Sequence, residues 1–197
     1  VGLLEKIAED ISPARALCYH RRMTLRPLAA LAALLLPALL ACSPKYNWRD
    51  YASPDAPYRV TFPAKPSNFT RNIELDGMRV AMTMTAAEVD GATFAVGAAQ
   101  AQDPARAQAA LEAMKLALLR NIGASAQQQA SASTSGGGEN RAALEVDATG
   151  QANGAPMRLV GHFEARGTRF YQVIVMGRPK AVPPEQLEQF FTSFKLQ

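Results

Sequence analysis

The stretch "TRNIELDGMRVAMTMTAAEVDGATFAVGAAQ", Thr70 to Gln100, reads as three antiparallel strands joined by two tight turns. Met78, Val80, Met82 and Met84 fall on one face of the middle segment and Arg79, Thr83 and Thr85 on the other, the period of two that a half-buried strand imposes. Asp76-Gly77 and Asp90-Gly91 interrupt the alternation, and Asp-Gly tolerates the positive φ of a two-residue hairpin turn. The first half of the body is thus an antiparallel meander. It is entered through "YRVTF" (Tyr58–Phe62), a short alternating strand stopped by Pro63 and Pro66.

Downstream the period changes. Asp103 caps a helix with Pro104 at its first position, where the missing N–H costs nothing. Ala107, Ala110, Leu111, Met114, Leu118 and Ile122 make its apolar stripe, and Gly123 stops it. Residues 124–138, "ASAQQQASASTSGGG", carry no charge and no large apolar side chain, which predicts a flexible loop of about 20 Å root-mean-square span. Three strands follow, Arg141–Gly150, Ala155–Ala165 and Thr168–Gly177, with "QANG" and "RG" as turns. The last is apolar on both faces (Phe170, Ile174 and Met176 against Tyr171, Val173 and Val175), so it belongs in the middle of a covered sheet. Pro183-Pro184 open a final helix whose buried stripe is Leu187, Phe190, Phe191 and Phe194. The expected fold class is α+β: an antiparallel sheet of about six or seven strands sandwiched by helices, spanning residues 58–197.

Ahead of this body, residues 28–41, "LAALAALLLPALLA", form an uncharged run of 14. A spanning helix needs about 20 apolar residues, so the run suits the core of a signal peptide, with Arg21, Arg22 and Arg26 as its positive flank. Residues 23–41 make a compact leader that begins at Met23. Residues 1–22 then have no role and read as a mis-set start; the alternative is that "RRMTLR" belongs to a twin-arginine export signal. "LLAC", Leu39 to Cys42, resembles the lipobox of bacterial lipoproteins. The resemblance implies cleavage between Ala41 and Cys42, a diacylglyceryl group on the Cys42 sulfur, and, from Ser43 in the next position, outer-membrane sorting. Two or more acyl chains, at about 0.8 kcal/mol per buried methylene, would anchor stably where one holds marginally. Residues 42–57 read as the lipidated cysteine and a tether, whose Tyr46, Trp48 and Tyr51 either pack on the domain edge or meet a partner.

Composition narrows the function. Hydrophobic and charged contents of 48% and 19% are globular values. Residues 1–42 hold five of the 21 basic and three of the 17 acidic side chains, leaving 16 and 14, too even a balance for nucleic acid. The chain's cysteines are Cys18 and Cys42, so the body can hold neither a disulfide nor a thiolate metal site.

The search for chemistry gives little. His162, the body's one histidine, lies mid-strand with Arg158, Val160 and Glu164 on its face, and no "GxSxG" nucleophile elbow occurs, so it reads as structural. One histidine with scattered carboxylates makes no transition-metal site. Glu145 and Asp147 share a strand face at roughly 7 Å, a separation that fits a glycosidase pair but also any two alternate acids. Gly136, Gly137 and Gly138 lack the lysine and helix of a phosphate loop. Arg166, Arg169, Arg178 and Lys180 gather at the two ends of the last strand, as ordinary surface charge or as contacts to acidic headgroups or an anionic polymer. No catalytic residue, cofactor or metal ligand is assigned.

The element order, with "YRVTFPAKP" near the start and "LEQFFTSFKL" at the end, resembles the PsbP-like fold from Tyr58 to Leu196. That resemblance implies an antiparallel sheet between helices and a non-catalytic binding or assembly role, with no contact residue carried over. The expectation is a membrane-anchored envelope lipoprotein that binds or scaffolds a partner. The alternatives are an envelope hydrolase of cell-wall or polysaccharide substrates using Glu145 and Asp147, and a soluble exported binding protein without lipid.

Overall fold

The structure is a computed structural model that describes residues 45–124, 134–136 and 141–197. The expected leader, the Ala41–Cys42 cleavage site and the lipidation site Cys42 lie outside the described residues, as does most of the 124–138 segment.

The elements in chain order are β1 (Arg49–Ala52), β2 (Tyr58–Phe62), β3 (Ser67–Leu75), β4 (Met78–Val89), β5 (Ala92–Gln100), helix α1 (Pro104–Asn121) and β6 (Thr134–Gly136). Then come β7 (Arg141–Ala152), β8 (Ala155–Arg166), β9 (Arg169–Gly177), helix α2 (Pro184–Ser193) and β10 (Lys195–Leu196). A seven-stranded antiparallel sheet runs β3-β4-β5-β9-β8-β7-β6, and a separate three-stranded sheet runs β1-β2-β10. The fold is α+β.

Three turns set the register of the large sheet. Asp76-Gly77, Asp90-Gly91 and Asn153-Gly154 each have positive φ at both residues, the geometry whose twist matches paired strands. β9 is the middle strand, as its two apolar faces require. Phe170 and Ile174 face one core, beneath α1, together with Leu111, Met114, Leu159 and Phe163. Tyr171, Val173 and Val175 face the second, with Tyr58, Phe62, Phe94 and Phe190. Asp103 caps α1 by accepting from the Arg106 N–H at 2.8 Å. Lys115 is buried with the apolar stripe and keeps its ammonium 2.6 Å from Glu112, one turn back.

Three expectations are corrected. "YRVTF" does not join the main sheet: its inward residues Tyr58, Val60 and Phe62 lie on that sheet's face, and β1 and β10 satisfy its two edges. Residues 42–57 are consequently not tether throughout, because Arg49–Ala52 is β1. Trp48 meets Phe94 edge-on at 6.3 Å and Tyr51 meets Phe62 at 5.8 Å, so these rings pack on the domain. Within the expected loop, Thr134–Gly136 pairs with Ala142–Leu144, since a backbone ladder needs no large side chain. The helices do cover opposite faces of the large sheet, but on the second face α2 shares the cover with the small sheet.

Candidate functional site

The alternation of β7 and β8 puts Leu144, Val146, Ala148 and Phe163 under α1 and turns Glu145, Asp147, His162 and Glu164 to the opposite face. Register then assembles rows across three strands. Glu145 stands opposite His162 and His162 opposite Val173; Asp147 stands opposite Val160 and Val160 opposite Val175. The end of α2 and β10 rises beside these rows, leaving a groove of about 610 Å³. Its floor is the charged face of β7 and β8, and its wall is Phe191, Phe194 and Leu196.

Glu145 and His162, set apart in the sequence by 17 positions, meet here. The imidazole has Glu145 Oε1 3.7 Å from Nδ1 and Glu164 Oε2 3.6 Å from Nε2. The ring nitrogens thus address different carboxylates, and among the described residues no three His, Cys, Asp or Glu side chains are placed to hold a metal ion. Asp147 is gripped by the Arg158 fork, with Nε donating to Oδ1 at 3.0 Å and Nη2 to Oδ2 at 2.7 Å. The bidentate contact raises the guanidinium further above its ordinary range, chiefly through the hydrogen bond to Asp147. Both Asp147 oxygens are thus engaged by one guanidinium.

The expected basic cluster divides. Arg166 is at the groove, and Arg169, its cross-strand neighbour, donates to the Asp55 carbonyl at 3.4 Å. Arg178 and Lys180 are exposed at the other end of β9, around a 3-10 turn. Gly136 ends β6, and Gly137 and Gly138 lie outside the described residues. Sequence reasoning missed the wall. Phe191, expected in the buried stripe, is half-buried and lines the groove, while Leu187 and Phe190 carry the burial of α2. Two adjacent phenylalanines lie about 100° apart around a helix, so one of them had to leave the stripe.

No family model matches the chain. No curated protein matches it either. Among solved structures it is similar to a protein of Bacteroides thetaiotaomicron VPI-5482, with 14% identity and a TM-score of 0.43 over 76% of this chain. The chain spans about half of that structure, 48% of its length. Among the described residues no helix is long and apolar enough to cross a membrane.

Proposed function

We propose that this is a lipid-anchored bacterial envelope protein whose PsbP-like domain binds a ligand or partner without transforming it. The observation that carries the binding role is the groove: an aromatic and aliphatic wall standing over a charged sheet floor, at the scale of about 300–1,000 Å³ that small-molecule sites occupy. The anchor rests on "LLAC" at the end of an apolar leader, and Ser43 supports the outer membrane as its destination. Labelled palmitate should enter the wild type and be lost in Cys42→Ala, which should also accumulate uncut precursor. Equal labelling of the variant would leave the soluble exported form as the better reading.

The hydrolase reading keeps one observation in its favour, since Glu145, Asp147 and His162 all line the same groove. Against it stands the Arg158 fork on Asp147. Purified wild-type protein incubated with cell-wall or polysaccharide substrates should release no soluble sugar. Release that is lost in Glu145→Gln or Asp147→Asn, with folding intact, would favour hydrolysis over binding.

A further inference from the structure

Four residues separate Cys42 from Asn47, and a chain of that length reaches at most about 18 Å. Asn47 is already fastened to the domain: its N–H donates to the Pro63 carbonyl at 2.8 Å, and Trp48 beside it packs on Phe94. Lys45, two residues earlier, pairs with Asp90 in the turn between β4 and β5. The chain therefore enters the domain at one end of the large sheet. Register identifies that end. Val89 stands opposite Ala92 and Ala92 opposite Gly177, so the Asp90-Gly91 turn and the close of β9 lie side by side. The 12 residues of β4 put its other end, at Met78, about 36 Å away.

Arg178 and Lys180 follow Gly177 and are exposed. Arg120 joins them, because the last turn of α1 is fastened to Gln151 at the same end of β7. Asp90 is engaged by Lys45 and Asp147 by Arg158, while Glu88 and Glu185 are exposed nearby, so the basic surplus is small. It does not have to hold the protein on a surface. A lipid anchor does that, and the bases then need only to choose which side of the domain meets the headgroups. Resting on the lipid anchor proposed above, we infer that the end carrying the Asp90-Gly91 turn, Arg178 and Lys180 lies on the anionic headgroups of the bilayer that holds Cys42. Arg166 and Arg169, at the opposite end of the nine-residue β9, then stand about 26 Å farther from the membrane.

The body has no cysteine after Cys42, so an introduced thiol is unique once the Cys42 sulfur carries lipid. Glu88→Cys and Arg79→Cys place one near each end of β4, at exposed positions about 30 Å apart. Each lipidated full chain is labelled with a fluorophore and reconstituted in vesicles of phosphatidylcholine and phosphatidylglycerol, where lipids with nitroxide headgroups quench it. Quenching should be about three-fold stronger for the Glu88→Cys label than for the Arg79→Cys label. Adding Arg178→Gln with Lys180→Gln, or using phosphatidylcholine alone, should bring that ratio down toward unity. Equal quenching of the two labels, on protein that floats with the vesicles, would overturn the orientation and leave the anchor standing. A ratio unmoved by the double substitution would overturn the part assigned to the two bases. Protein that carries no lipid and does not float with the vesicles would take down the anchor reading, and this inference with it.

Discussion

The Gln151 N–H donates to the Ile122 carbonyl at 2.6 Å, fastening the C-terminal end of α1 to strand β7. The residue beside that bond is Gly150, and a Cβ built there would lie 2.0 Å from the same carbonyl oxygen. The obstacle is backbone, which cannot rotate away as a side chain can. Gly150→Ala should therefore part helix from sheet and cost about 1–3 kcal/mol or more, as overpacking does. Gly97 is the comparison: its added Cβ would meet Met84 Sδ at 2.6 Å and the Gln172 side chain at 2.7 Å, both able to adjust. Thermal melts should rank Gly150→Ala below Gly97→Ala, and the reverse order would show that the helix end yields easily.

Phe190 and Phe191 are sequence neighbours with different work. Phe190 is fully buried, with its ring 5.3 Å from Phe94 and 5.5 Å from Phe62, so it ties α2 to both sheets. Phe190→Ala should cost about 3–5 kcal/mol in denaturant unfolding, a large share of an ordinary domain's stability. Phe191→Ala should cost clearly less, because the ring is half-buried in the groove wall. Equal losses of stability would mean that the wall is part of the core.

Asp147 and Arg158 form a bidentate ion pair, half in solvent, with side chains 45% and 26% exposed. Exposed pairs contribute about 0.2–1 kcal/mol, with good geometry at the upper end. Asp147→Asn should lower stability by no more than about 1 kcal/mol, and the loss should shrink in high salt. A salt-independent loss would show that the carboxylate does something other than pair with Arg158.

The meander, the capped helix and the central place of β9 were legible because each rests on a local signal: an Asp-Gly turn, a period, a strand apolar on both sides. The small sheet was not. β1 and β10 are four and two residues long, too short to show a period, and they become strands only because β2 lies between them. The candidate site was half legible for a similar reason. Glu145, Asp147 and His162 were visible as residues on strand faces, but which strands pair, and in what register, decides that they meet. Phe194 and Leu196 join them from the end of the chain, a contact that no local pattern encodes.

Tyr58 reaches from β2 to β4, its hydroxyl 3.1 Å from Thr85 Oγ1, and both residues are buried between the two sheets. Tyr58→Phe removes the Thr85 hydroxyl's partner and should cost about 1–3 kcal/mol, while Thr85→Val should cost less, because Ser53 also reaches the Tyr58 hydroxyl. The double variant removes both polar groups and should cost less than the two together, which a double-mutant cycle would read directly. The same burial makes the pair sensitive to alkali. Burial is the main cause that raises the Tyr58 pKa above its ordinary 10.0, and it raises that of Tyr171 as well. Below pH 10 both rings are protonated whether the chain is folded or not, and the stabilising contribution is complete. Above it the unfolded chain loses protons that the folded chain still holds, so stability falls as pH rises through the folded-state value. Unfolding midpoints measured from pH 8 to 11 should therefore decline above about pH 10, more steeply in the wild type than in Tyr58→Phe, with Tyr171 sustaining part of the fall in the variant. Identical pH profiles would show that the Tyr58 hydroxyl is already open to water in the native protein.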